Sequence, residues 1–215
     1  MTALELYADR LHARAVRVCE VASSLEALQR AGIFQEGAIV GACVNGGAPE
    51  ICEPVLPSED EPLLFWLADA VCGENLRVPD VRSLAAAARE AQACLVLDIS
   101  SPTSFGCDPL NAGAPVCVEC LRAGVYAVCV ARSGKRGRVV DPYAERAFRA
   151  LVPEGDISPA CKEALEFACD SSYQQSLQKR FDFARAFAEY AVRELQQLYR
   201  NVICVIYDNN IVTLY

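Results

Sequence analysis

Apolar residues recur at helical spacing over residues 3–18 and again over 24–33, which predicts two helices at the start of the chain. The pattern then changes. Gly37 precedes a continuous apolar run, Ala38 to Val44, that reads as a buried strand, and Asn45-Gly46-Gly47-Ala48-Pro49 follows as a turn cluster. PSEDEP, 57–62, is a solvated acidic connection, and Leu63 to Ala68 is a second buried run. Pro79-Asp80 opens a helix that continues through SLAAAAREAQA, with the proline suited to a first turn. Strands are predicted at Cys94 to Asp98, at 116–119 and at 125–131, and helices at 143–151, 159–169 and 173–199. The last helix carries Leu177, Phe181, Ala184, Phe187, Ala188, Ala191 and Leu195 on one stripe. Two short apolar segments, Val202 to Tyr207 and Ile211 to Tyr215, flank Asp208-Asn209-Asn210 and predict a hairpin.

Strands alternating with helices through the middle of the chain predict an α/β fold with a largely parallel sheet. Ligands of such sheets sit beyond the carboxyl ends of the strands. Asp98 is the last residue of the run CLVLD, so it is the first candidate for chemistry.

Composition narrows the options. More than half the residues are hydrophobic (53%), so the chain is not disordered. The net charge of −8 leaves no clustered basic face for nucleic acid, and the one basic run, Lys135-Arg136-Gly137-Arg138, reads as a solvated loop. No apolar run approaches the length of a membrane span, and the amphipathic start lacks the core of a signal peptide, so a cytoplasmic protein is expected. Twelve cysteines lie mostly within apolar runs, as small buried hydrophobes of a reducing compartment do. Cys117 and Cys120 form a single CxxC, and with one histidine in the chain no metal site is expected.

The stretch LRVPDVRSLAAAAREAQACLVLDISS resembles LRVxDIxxIAxxAHxxGAxLVVDNTF of the pyridoxal-phosphate-dependent enzymes of cysteine and methionine metabolism, the transsulfuration group of cystathionine synthases and lyases. DISSPTSFGCDPLNAGAPVCVECLRA follows that family's DNTFxTPYxxxPLxxGADxVVHSxTK without a gap, with landmarks at Asp98, Pro109-Leu110, Gly113-Ala114 and Val118. Weaker likenesses extend both ways, from ALELYADRL to SLQKRFDFARAFAEYAV and NVICVIYD. The resemblance implies the large domain of a fold-type-I pyridoxal-phosphate transferase over 1–200, a mostly parallel sheet flanked by helices. It also implies a strand hairpin at 201–215 that is not a separate domain, with the family's C-terminal domain largely missing.

The same resemblance assigns cofactor-facing positions to Asp98 (against the pyridine nitrogen), Ser100, Cys120, Arg122 and Ser24. It also shows departures. The Schiff-base lysine position is Ala123, the stacking tyrosine is Asn45, and the Ser-Asn-Pro stretch is Cys72-Gly73-Glu74. An alanine cannot hold the cofactor covalently, and the lysines present are Lys135, Lys162 and Lys179. The expectation is a non-catalytic relative of the family that forms a homo-oligomer or pairs with a full-length homologue, with pyridoxal phosphate as the ligand the family suggests. Two other readings stay open: an enzyme of sulfur amino-acid metabolism completed by a partner chain, and a small-molecule or anion binding module on the same fold.

Overall fold

The computed structural model describes residues 2–34, 39–43, 64–71, 78–132, 142–151, 157–198, 204–206 and 212–214. The Asn45 turn cluster, PSEDEP, Cys72-Gly73-Glu74, the Lys135 loop and the Asp208-Asn209-Asn210 turn lie outside the described residues.

Helix α1, Ala3–Arg10, starts in a capping box: the Thr2 side chain accepts from the Glu5 N–H, and Glu5 returns the bond to the Thr2 N–H at 2.7 Å. It stops well short of residue 18. His12 takes a left-handed backbone conformation (φ 53°), and the chain turns into strand β1, Ala13–Glu20. ARAVRVCE places Val16 and Val18 on alternate positions, separated by arginine. This period-two pattern with β-branched residues overrides the helical spacing read across 3–18. Helix α2, Ser24–Arg30, is capped by Ser23, whose hydroxyl accepts from the Glu26 N–H.

Strands β2, Ile39–Cys43, and β3, Leu64–Asp69, lead to helix α3, Val81–Glu90. Its cap is Asp80, which accepts from the Arg82 and Ser83 N–H groups, so Pro79 lies before the helix rather than in its first turn. Strand β4, Ala93–Asp98, is followed by two single-turn helices, α4, Thr103–Gly106, and α5, Pro109–Ala112. Pro109 opens α5 and Gly113, at φ 114°, closes it, while the Arg89 guanidinium donates to the Gly113 carbonyl. Strands β5, Val116–Arg122, and β6, Val125–Ala131, form a hairpin turning at Ala123-Gly124. Helices α6, Pro142–Ala150, α7, Pro159–Cys169, and α8, Ser171–Leu198, precede strands β7, Cys204–Ile206, and β8, Val212–Leu214, which pair antiparallel as the predicted hairpin does.

The main sheet has six strands in the order β1-β6-β5-β4-β3-β2. Strands β2 to β5 pair in parallel, and β6 runs against both of its neighbours, β5 and β1. Two apolar layers sandwich it. Leu95, Leu97, Cys117 and Trp66 face the side covered by α1, α3 and α7. Cys94, Val96, Val118 and Phe65 face the side covered by α2 and α6. Burial on both faces is why β4 reads as an unbroken apolar run. The α8 stripe is only partly inward: Ala188 is buried and the Phe181 ring packs edge-on against Phe105, but Phe187 is exposed.

Candidate functional site

Side chains alternate across a strand, so Asp98 points to the same face as Cys94 and Val96, the α2 side. Asp69 follows Phe65 and Leu67 onto that face, and the parallel register sets it directly beside Asp98. Cys120 on β5 lies opposite Tyr126 on β6, and Tyr126 packs against the same apolar layer. The result is a row at the carboxyl end of the parallel strands: Asp69, Asp98, Cys120 and Tyr126, contributed by four neighbouring strands. Two groups of the row are shifted by their surroundings. Burial, and then the Asp98 charge, push the Asp69 carboxyl above the usual range. Burial, followed by Cys120 and Asp98, raises the Tyr126 phenol.

The turn beyond β4 is tied back to this row. The Ser100 N–H donates to Asp98 Oδ1 at 2.9 Å, and the Ser100 hydroxyl accepts the Cys120 N–H at 2.9 Å. The sequence-assigned residues Asp98, Ser100 and Cys120 are therefore brought together. Arg122 is not part of the group. The strand register slips between Cys120 and Arg122, and the guanidinium pairs with Glu163 of α7, 3.0 Å away on the other layer. Ser24 is the residue after the α2 cap, near the same sheet edge because the Val21 N–H bonds the Gly124 carbonyl. The Glu26 carboxylate already accepts the Ala22 N–H at that helix start. Ala123 is exposed in the β5–β6 turn. The two sulfurs of the CxxC face opposite sides of β5: Cys117 is buried beside Cys129, and Cys120 faces the row.

The opposite face of β5 carries a second polar group that the sequence reading passed over. Glu119 is buried (5% exposed) yet fully engaged. The Tyr7 hydroxyl donates to its Oε2, and the Ser104 N–H and hydroxyl donate to its Oε1 at 2.9 and 3.1 Å. Arg10 lies over the Tyr7 ring and donates to the Ser104 hydroxyl and to the Ala168 carbonyl. Burial and the Glu119 charge push the Tyr7 hydroxyl far above its ordinary value. Asp69 and Glu119 both had a signal. LFWLAD ends on a carboxylate as CLVLD does, and VCVEC sets a charge inside an apolar run.

Among the described residues, no group of three or more histidine, cysteine or acidic side chains is arranged to hold a metal, and no helix is long and apolar enough to cross a membrane. No protein-family model matches the chain, and no curated protein matches its sequence. Solved structures do match its fold. The crystal structure of cystathionine γ-lyase from Lactobacillus plantarum complexed with L-serine superposes with a TM-score of 0.57 at 11% identity, over 94% of this chain and 57% of that one. The apo methionine γ-lyase from Micromonospora echinospora gives 0.56 at 16% identity, over 87% of this chain and 57% of that one. The chain thus spans little more than half the length of either enzyme.

Proposed function

We propose that the chain, whose α/β fold with its mostly parallel sheet is that of the fold-type-I pyridoxal-phosphate enzymes, is a large-domain relative of the transsulfuration enzymes that does not carry out their chemistry alone. In this reading residues 1–200 form the domain, 201–215 append a hairpin, and the protein works in the cytoplasm by associating with itself or with a full-length homologue. The observation that carries the proposal is Ala123, exposed at the tip of the β5–β6 hairpin where the resemblance asks for a lysine.

Among the described residues, the lysines do not fit a covalently held cofactor. Lys162 lies on α7 near Glu166, and Lys179 is on α8. Arg122 is committed to Glu163, so it does not add a cation to the row. Asp98 alone keeps the place of a pyridine-facing acid, and it stands beside Asp69 rather than beside a base. The half-buried row of Asp98, Ser100, Cys120 and Tyr126 supports a second reading, a small-molecule binding module on the same fold.

The test is to incubate the purified chain with pyridoxal phosphate, reduce with borohydride, and map labelled lysines by mass spectrometry. Scattered, substoichiometric labelling is expected. One lysine labelled to completion, with bleaching of a protein-bound absorbance band, overturns the proposal. Tight reversible binding that is lost in Asp98→Asn favours the second reading.

A further inference from the structure

Helix α8 is the longest in the molecule, and one side of it is left uncovered. Phe183, Phe187, Tyr190 and Leu198 are 75%, 61%, 56% and 72% exposed. Their spacings of four, three and eight residues put them on a single stripe. The opposite side docks on the fold through Ala188 and through Phe181 against Phe105. Isolated exposed apolar residues are ordinary, but three aromatic rings in two turns form a contiguous patch.

The order of residues along that stripe is symmetric about Phe187. Counting outward, Phe183 and Ala184 stand on one side where Ala191 and Tyr190 stand on the other, and Arg180 stands where Glu194 does. Laid against an identical helix running the opposite way, with a twofold axis at Phe187, the two outer rings each meet an alanine. Phe183 faces Ala191, Tyr190 faces Ala184, and the two Phe187 rings meet at the axis. Arg180 then faces Glu194 at both ends. Among the described residues neither charge has an ion-pair partner within its own chain, whereas Arg185 and Glu189, off the stripe, already pair with each other. A parallel arrangement would set Arg180 against Arg180 and Glu194 against Glu194. Size and charge therefore agree on one orientation.

We propose that the occupant of this face is a second copy of the chain, joined through an antiparallel α8–α8 contact centred on Phe187. Such a contact is isologous, using the same patch on both subunits. Large-into-small packing supplies its core, and two symmetric Arg180–Glu194 pairs fix its direction. The inference rests on the self-association half of the proposed function. The lack of catalysis is read separately by cofactor labelling, so each can fail while the other stands.

Sedimentation velocity on the full chain over a range of concentrations tests it. A reversible monomer–dimer equilibrium is expected. Phe187→Asp sets two carboxylates at the axis and gives a monomer at every concentration, with an unchanged far-ultraviolet circular dichroism spectrum because the site is exposed in the subunit. Arg180→Glu and Glu194→Arg each weaken the dimer by about tenfold by replacing attraction with repulsion at both ends, and the double variant restores it. A monomeric wild type overturns the proposal. So does a dimer indifferent to Phe187→Asp, or a double variant no tighter than the single ones. Should Phe187→Asp fail to fold, the charge-swap set decides alone.

Discussion

Glu119 and Asp98 are carboxylates at the same end of the same sheet, on neighbouring strands, and the fold treats them in opposite ways. Glu119 points into the α1 layer, where three donors from Tyr7 and Ser104 meet its two oxygens and Arg10 supports the donors. Asp98 points to the α2 side, is half-buried, and accepts one backbone N–H from Ser100 while facing a second carboxylate, Asp69. A buried carboxylate with its acceptors filled is a structural part: it costs desolvation and returns order. A carboxylate left at a strand end with spare acceptor capacity is what a ligand site retains. The two are mechanically linked. The segment between them, 98–104, is clamped on β5 by successive residues, the Cys120 N–H on Ser100 and the Glu119 side chain on Ser104. Thr103 sits inside that clamp in a left-handed conformation (φ 59°), a strain that a β-branched residue accepts only when its neighbours fix it.

The largest effect should come from cutting the buried side of this pair. Glu119→Ala leaves the buried Tyr7 hydroxyl and the half-buried Ser104 N–H without an acceptor and frees Thr103 to relax. A loss of about 3 kcal/mol is expected, read as a lower urea midpoint with unchanged slope. Tyr7→Phe is gentler. It removes one donor to a carboxylate and should cost about 1–2 kcal/mol. Its pH dependence is distinctive. The folded Tyr7 pKa lies above the unfolded one, so the native state holds this proton more tightly. That contribution is complete below about pH 10 and is lost as pH rises through the folded value. Tyr7→Phe should therefore show a shallower alkaline loss of stability than the wild type.

This contrast also marks what the amino-acid sequence could reveal. Asp98 was legible because a strand that ends on an acid is a local pattern, and the landmarks at Pro109-Leu110 and Gly113-Ala114 are realised as the proline start and glycine stop of α5. The strands β4 to β6 were legible for the same reason. Residues 13–18 were misread as helix because two short periodicities abut, and His12, whose left-handed backbone separates them, leaves no mark in hydropathy. The Tyr7–Glu119 bond joins residues 112 apart in the chain, and no local pattern reports such a pairing. The direction of Arg122 was hidden too. A register slip in β5 turns it toward Glu163, and a bulge of that kind depends on the partner strand.

On the open side of the comparison, smaller effects are expected. Asp98→Asn keeps an oxygen for the Ser100 N–H, so it should change stability by under about 1 kcal/mol. A loss as large as that of Glu119→Ala would mean Asp98 is a second structural carboxylate, no different in role from Glu119.

The smallest and most diagnostic change is at Asp69. Its folded pKa is raised, first by burial and then by the Asp98 charge, so the native state binds its proton more readily than the unfolded chain. Stability must then fall as pH rises from the unfolded aspartate value, about 4, through the folded value, and stay level above it. Asp69→Asn removes that penalty. The variant should be slightly more stable than the wild type at neutral pH, by under about 1 kcal/mol because the side chain is only partly withdrawn from solvent, and the difference should close as the solution is acidified through the same window. Asp98→Asn should shrink the difference as well, since one of its two causes is gone. Chemical denaturation of the two single variants and the double variant at pH 4 and pH 7 measures the coupling directly. If the two effects simply add, Asp69 and Asp98 do not sense each other, and the row at the strand ends is four separate side chains rather than one site.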